Sequence, residues 1–274
     1  MTEPVEAPRS RPAYAGVKLR QDVLQRDLTK SQLFLDDTWI DDQQMLTRLW
    51  HPAQLYPEPV LRPEAPWEGT SVTSHSTVLR VGDRWRMYYR TFAPDHGGFL
   101  CVAESTDGLR WERPALGIHE YKGSTANNIV MTDMKCASVM YDPEDEAAPF
   151  KGLVFLPHGG ITGATSRDGY HWTVMEGRFL PRRLVGDVHY LWSQKVDGKY
   201  IITHKTFMPG MERAERCVAI SESEDFRTFG ETRLILRSDL IDPADIQYHG
   251  MVGFPYADLY LGLAEHWFNV PNHF

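Results

Sequence analysis

The stretch Ser105-Thr106-Asp107-Gly108-Leu109-Arg110-Trp111 recurs twice further along the chain. The second copy is Ser166-Arg167-Asp168-Gly169-Tyr170-His171-Trp172, and the third is Ser223-Glu224-Asp225-Phe226-Arg227-Thr228-Phe229. The aspartates of successive copies are 61 and 57 residues apart. Asp-Gly between two extended stretches favours a tight turn, so each copy predicts a hairpin between antiparallel strands. Because the aspartate recurs, we assign Asp107 and Asp168 to the turns and not to catalysis.

Further short apolar stretches surround each copy and complete a repeating unit. One precedes the motif directly, and others lie upstream, at 74–79, 85–90, 135–140, 151–156, 188–192, 199–203 and 248–252. Four short strands in about sixty residues are the plan of a propeller blade. The sequence therefore predicts an all-β fold, a β-propeller of the five-bladed type, with a β-sandwich as the alternative.

The repeat sets the expected division of the chain. Residues 1–30 form a polar N-terminal tail, and the proline-rich segment 31–70 forms an irregular lead-in. The propeller follows over 71–274, with blades at about 71–125, 126–182, 183–240 and an incomplete one at 241–274.

The fourth unit lacks its hairpin motif, so the sequence covers about three and a half blades. Propellers normally close their ring and leave no sheet edge bare. We expect a truncated chain. The alternatives are that residues 31–66 supply the missing strands or that another chain covers the edge.

Composition excludes several classes of protein. The net charge of −8 and the pI near 5.8 argue against a nucleic-acid partner. Cys101, Cys136 and Cys217 are odd in number and have no C-x-x-C spacing, which predicts buried thiols in a reducing compartment. The polar N-terminus lacks the apolar stretch of a signal peptide, and no run approaches the ~20 apolar residues of a membrane span. We therefore expect a soluble, cytoplasmic protein without a membrane partner, and the sequence leaves its oligomeric state open.

The hairpin motifs resemble those of the five-bladed propeller glycoside hydrolases, the superfamily that contains families 32, 43, 62 and 68. The runs 103–114, 127–130, 249–256 and 259–263 are similar to an uncharacterised family 32-like branch. This resemblance covers roughly residues 55–268 and implies hydrolysis or transfer at a glycosidic bond in a central funnel. The better known families carry Asp, Asp and Glu on the inner strands of their first three blades. The corresponding strands here begin near His75, Cys136 and His189.

Candidate catalytic groups are therefore sought among other carboxylates near the same rim. Glycoside hydrolysis needs two carboxyl groups, one protonated and one ionised. Asp187, two residues before His189, is our first candidate, and Asp133 or Glu265 is the second. Each of them also has an alternative interpretation as a solvated surface carboxylate.

Candidate substrate contacts lie at the starts and ends of the inner strands. His75, His189 and His249 begin such strands in three blades. The inner strands converge on the propeller axis, so these three positions are expected to lie close together. Three interpretations stay open for them: substrate contact, a metal site, or polar groups that line a tunnel. Arg90 ends a strand and could pair with a substrate hydroxyl or carboxylate, or form a salt bridge between blades. Trp192 could stack on a sugar, or pack between blades.

These residues lead to a functional hypothesis. We expect an enzyme, a glycoside hydrolase that acts on a glycoside or oligosaccharide by paired-carboxylate chemistry. The alternatives are a non-catalytic sugar-binding or interaction propeller and a metal-dependent enzyme that uses the axial histidines. No phosphate-binding loop, nucleophile elbow, H-E-x-x-H or dinucleotide motif occurs, so no cofactor is expected.

Overall fold

The computed structural model describes residues 29, 31, 33–35, 40, 42–73, 77–92, 98–132, 138–156, 159–207, 215–243, 245–257 and 259–268. The chain divides into two compact units, Met1–Leu46 with Ala257–Leu259 and Thr47–Tyr256 with Tyr260–Phe274. In the first unit, the described residues before 47 lie in no helix or strand. The predicted tail, 1–30, lies outside the described residues except for residue 29.

The second unit begins with an irregular stretch and then consists of sheets. One turn of 3-10 helix, Pro66–Glu68, is followed by the first sheet. Its strands are β1 (Ser71–Thr73), β2 (Val78–Val81), β3 (Arg84–Phe92), β4 (Phe99–Ser105) and β5 (Ile129–Thr132). The pairing order is β1-β3-β4-β5, and β2 also pairs with β3. The first sheet thus extends to Thr132, past the boundary expected at residue 125, because β5 pairs with the start of β4.

The second sheet repeats this arrangement. It consists of β6 (Val139–Tyr141), β7 (Phe150–Leu156), β8 (Gly160–Ser166), β9 (Trp172–Val174) and β10 (Leu180–Pro181). Strands β6, β7 and β8 pair in chain order, and both β9 and β10 pair with β8. Every pairing in the first two sheets is antiparallel.

The third sheet contains four strands and the fourth contains two. The third is β11 (His189–Leu191), β12 (Tyr200–Phe207), β13 (Arg216–Ser223) and β14 (Arg233–Leu236), paired in chain order. The fourth is β15 (Ile246–Tyr256) paired with β16 (Leu259–Phe268). The described chain is therefore almost entirely β, as the sequence predicts.

Side-chain hydroxyls connect each sheet to the next near its first strand. Thr77 Oγ1 accepts from Val139 N at 3.2 Å, and Ser138 Oγ accepts from Leu191 N at 3.0 Å. Thr203 Oγ1 in turn donates to the carbonyl of Met251 on β15. Consecutive antiparallel sheets joined in this way are blades of a β-propeller, and the predicted fold class is confirmed.

Apolar layers fill the spaces between the blades. Tyr88, Leu100 and Val102 of the first sheet pack with Phe150 and Val154 of the second in one buried cluster. A second cluster joins the second and third sheets, and its members include Leu153, Ile161, Leu191, Ile202 and Phe226. Because these strands are covered on both faces, their sequences read as nearly continuous apolar runs.

The repeated motif forms the predicted hairpin turns. Asp107 Oδ1 accepts from the backbone N–H groups of Leu109 and Arg110, both at 2.8 Å. Asp168 does the same for Tyr170 and His171, also at 2.8 Å. In these two copies the tryptophan packs back and its indole N–H donates to the glycine carbonyl, at 3.0 Å and 3.1 Å. The third copy keeps the turn with Phe226 at φ 56°, where the other copies have glycine. The structural role of Asp107 and Asp168 is thus confirmed.

Two further expectations concern the membrane and the cysteines. The described residues contain no helix long and apolar enough to cross a membrane. Cys101 and Cys217 are buried, whereas Cys136 lies outside the described residues.

Candidate active site

A cavity of about 500 Å³ lies where the four sheets meet. This volume falls within the range of small-molecule sites in proteins. We call it the axial cavity, and its lining includes Thr77, Ser138, Tyr190, Ser193, Phe254 and Glu265. Hydroxyl groups and the rings of Tyr190 and Phe254 therefore share the wall with a carboxylate.

The carboxylate of Glu265, on β16, is held by two neighbouring strands. The hydroxyl of Tyr190 on β11 donates to Oε1, and His249 Nδ1 on β15 lies 3.1 Å from Oε2. Gly250 allows this approach, because a Cβ there would lie 2.7 Å from Val188 Cγ1 and 3.1 Å from Tyr190 Cε2. The Glu265 side chain is 40% exposed, so the carboxylate remains accessible from the cavity.

Lys205, on β12, links this carboxylate to Asp187. Its Nζ forms an ion pair with Asp187 Oδ1 and lies 3.3 Å from His249 Nε2. Its side chain is 6% exposed. The segment before β11 is held against β12, because Gly186 N donates to the Lys205 carbonyl at 2.7 Å. This backbone pairing places Asp187 next to the lysine.

The ion pair controls the protonation of Asp187. Burial alone raises the pKa of its carboxyl, but the hydrogen bond from Lys205 and the lysine's charge outweigh burial. The net pKa is below the ordinary value, so Asp187 is ionised at neutral pH.

The ring of His249 packs against an aromatic side chain, which in turn contacts an arginine. The rings of His249 and Trp267 have centroids 5.3 Å apart. Arg216 Cζ lies 4.9 Å from the centroid of Trp267, and its Nη1 donates to Gln247 Oε1 at 2.9 Å. These contacts restrict the rotation of the imidazole.

The structure places His189 differently from the prediction. His189 and His204 are Cα partners across β11 and β12, so their side chains lie on the same face of the sheet. That face packs on the second sheet, where the His189 ring lies 6.0 Å from the ring of Phe155. Tyr190 and Lys205, the next residues along each strand, are on the opposite face with Glu265. His189 is 2% exposed and does not contact the axial cavity.

Among the described residues, the buried nitrogens Arg90 Nε and Trp192 Nε1 form no hydrogen bond with either candidate carboxylate. Arg90 pairs with Thr73 and Leu100 near the end of β3, and its Nε is buried without a hydrogen-bond partner among the described residues. Trp192 is 6% exposed, and a Cβ on Gly253 would lie 2.3 Å from its ring. Trp192 thus packs between the third and fourth sheets, which favours the packing role over sugar stacking.

The remaining predicted residues, His75 and Asp133, lie outside the described residues. Of the predicted set, the structure brings together Asp187, His249 and Glu265. Over the residues that the structure describes, no three His, Cys, Asp or Glu side chains are grouped to hold a metal ion.

Lys205 and Tyr190 are functional candidates that sequence reasoning missed. Each lies next to a histidine that attracted attention: Lys205 follows His204, and Tyr190 follows His189. The available signal was the alternation of faces along a strand.

Comparisons with known proteins identify similar structures but no family. No family model matches the chain, and no curated protein matches it. Among solved structures, a β-1,2-mannobiose phosphorylase from Listeria innocua, in complex with β-1,2-mannobiose, has a TM-score of 0.49 at 14% identity. The match covers 73% of this chain and 70% of that chain.

Two other solved structures are similar to a comparable degree. A thermostable family-43 glycoside hydrolase has a TM-score of 0.48 at 17% identity, covering 68% of this chain and 61% of that chain. An N-acetylgalactosamine deacetylase from F. plautii, in complex with blood group B trisaccharide, has a TM-score of 0.49 at 14% identity, covering 71% and 61%. The chain thus spans 61% to 70% of the length of these proteins.

Proposed function

We propose that this chain is a carbohydrate-active enzyme that cleaves a glycosidic bond in the axial cavity, with Glu265 as the ionised base or nucleophile. The observation that carries the proposal is the environment of Glu265. One carboxylate oxygen accepts from Tyr190 and the other faces His249, and the group adjoins a cavity of about 500 Å³. Two donors aimed at one carboxylate stabilise its charged form.

The chemistry of the wall suits a sugar. A pyranose presents hydroxyl groups along its edge and C–H groups on its face. Thr77, Ser138 and Ser193 supply hydroxyls, and Phe254 supplies a ring for the apolar face. The resemblance of the hairpin motifs to propeller glycoside hydrolases agrees with this substrate class.

Glycoside cleavage also needs a protonated carboxyl group. Asp187 is a poor candidate, because Lys205 keeps its pKa below the ordinary value. We assign it to holding Lys205 in place. We assign the proton donor to Asp133, the remaining carboxyl group that the sequence predicts at this rim.

A panel of aryl glycosides of different sugars and both anomers tests the proposal. Wild-type protein is expected to release the phenol from at least one member. Glu265→Gln is expected to lower kcat/KM by about 10³-fold, within the usual range for general acid–base groups. The control is Glu224→Gln, an exposed carboxylate on the third hairpin, which is expected to match the wild type.

A second candidate is a sugar-binding propeller without catalysis. It is favoured by one specific observation: Glu265 and Asp187, the two candidate carboxyl groups within the described residues, both have partners that favour ionisation. For this candidate, isothermal titration would detect binding of a sugar that wild-type protein does not turn over. Turnover that depends on Glu265 would exclude it.

A further inference from the structure

We infer that Lys205 is a positioning residue that fixes the tautomer of His249, so that the imidazole presents Nδ1–H to Glu265. Its consequence for catalysis rests on the proposed function. The tautomer itself does not, because it follows from contacts among the protein's own groups.

One ring nitrogen of His249, Nε2, faces the ammonium group of Lys205. Nζ of Lys205 lies 3.3 Å from Nε2 of His249. An ammonium group has three donors and no acceptor, so Nε2 must accept. A proton on Nε2 would place two donors against each other. The contact is therefore compatible with an unprotonated Nε2.

The other ring nitrogen of His249, Nδ1, faces the carboxylate of Glu265. A neutral imidazole carries one N–H group, so an unprotonated Nε2 puts the hydrogen on Nδ1. Nδ1 lies 3.1 Å from Glu265 Oε2, and its N–H can donate to the carboxylate. With the Tyr190 hydroxyl on Oε1, each oxygen of Glu265 then accepts one hydrogen bond. This pattern suits an ionised carboxylate and disfavours a protonated one.

Lys205 is itself held in place by its neighbours. Asp187 binds Nζ, and the stem is enclosed, since a Cβ on Gly186 would lie 2.4 Å from the lysine Cε. Nζ also lies 5.9 Å from the ring centroid of Phe207. The lysine thus keeps its position near His249 without a bound substrate.

The remaining groups around His249 leave its nitrogens to these partners. The ring of Trp267 packs on the imidazole, and Arg216 contacts that tryptophan with its Cζ 4.9 Å from the ring centroid. Within the described part of the chain, the charged groups that contact the imidazole nitrogens are Lys205 at Nε2 and Glu265 at Nδ1. Lys205 at Nε2 and Glu265 at Nδ1 therefore favour the same tautomer, and Lys205 keeps a proton from Nε2.

The experiment is nitrogen-15 NMR of the full chain labelled at histidine, with the His249 signals assigned by their loss in His249→Gln. In wild-type protein at neutral pH, Nε2 is expected to resonate as an unprotonated imidazole nitrogen and Nδ1 as a protonated one. Lys205→Met is expected to lose this preference, so that protonated Nε2 appears. Lys151→Met, which removes another buried, ion-paired lysine in the second sheet, is expected to leave the His249 spectrum unchanged.

Two results would overturn the inference. One is a protonated Nε2 in the wild-type protein, which needs no variant to fold. The other is an unchanged His249 tautomer in folded Lys205→Met. If turnover is found, Lys205→Met is also expected to lower kcat by about 10- to 100-fold, the loss of one charge-assisted hydrogen bond. If neither the wild type nor any variant turns over a substrate, but the wild-type NMR spectrum is as expected, the proposed function is rejected and the tautomer assignment stands.

Discussion

His189 and His204 lie directly opposite each other on β11 and β12, and both side chains are buried on the face that packs against the second sheet. His204 is fully buried, and burial lowers its pKa to about 4. It is therefore neutral in the folded protein at neutral pH. This pair belongs to the interior of the propeller, whereas Tyr190, which follows His189, lines the axial cavity, and Lys205, which follows His204, contacts His249.

Burial of His204 predicts a loss of stability in mild acid. Its pKa is about 4 in the folded protein and 6.5 in the unfolded chain, so between these values the unfolded state binds more protons. The free energy of unfolding is expected to fall by roughly 3 kcal/mol as the pH drops through this window. Urea titrations at several pH values measure it. His204→Leu should flatten the curve, and replacement of the exposed His171 should not.

The fold can be predicted from the sequence more fully than the site can. The turn chemistry of Asp107 and Asp168 is local, so the hairpins and the blade order follow from the sequence. The site depends on which face of an inner strand points to the axis. Both faces of β11 and β12 are covered by neighbouring sheets, so no polar alternation marks the axial face. A shift of one residue exchanges His189 for Tyr190 and His204 for Lys205.

Glu68 predicts a second acid effect at lower pH. This carboxylate is fully buried and accepts from Tyr89, from Arg113 and from two backbone amides. Burial raises its pKa, but these donors outweigh burial and the net pKa lies below 4.5. Its contribution is therefore present above pH 4.5 and lost as the pH falls further. Glu68→Gln should lower the free energy of unfolding at pH 7 by about 3 kcal/mol.

A neighbouring carboxylate supplies the control for Glu68. Glu64 pairs with the same Arg113 at 3.2 Å, but its side chain is 70% exposed. Glu64→Gln should cost less than about 1 kcal/mol, as is usual for surface ion pairs. Equal losses in the two variants would show that the buried network does not stabilise the first blade.

Substitution of two glycines in equivalent hairpins distinguishes the cost of backbone strain in the turn from the cost of disturbing the packing between blades. Gly108 has φ 75° and open space around its missing side chain. Gly169 has φ 80°, but a Cβ there would lie 2.4 Å from both Arg86 Nη1 and the Tyr88 hydroxyl. Gly108→Ala should cost about 1–2 kcal/mol for the left-handed backbone. Gly169→Ala should cost roughly 1–3 kcal/mol more, because it displaces the contact between the first and second blades. Denaturant unfolding measures both, and equal costs would contradict this account of the interface.

The assignment of Asp133 as proton donor predicts a dependence on the leaving group. A good leaving group departs without protonation, so Asp133→Asn should lose little activity on a nitrophenyl glycoside. On a glycoside of a poor leaving group the same variant should lose about 10²- to 10⁴-fold. Steady-state kinetics over a series of phenols gives the slope. The same loss across the whole series would remove Asp133 from this role.

Azide rescue of Glu265→Ala, on a substrate that the wild type cleaves, tests whether Glu265 is the ionised carboxylate at the reacting centre. This variant lacks the carboxylate and leaves room beside Tyr190 for a small anion. The variant is expected to be nearly inactive, and its turnover is expected to return with added azide and to yield a glycosyl azide. Activity close to the wild type without azide, or no glycosyl azide at any azide concentration, would contradict this role of Glu265.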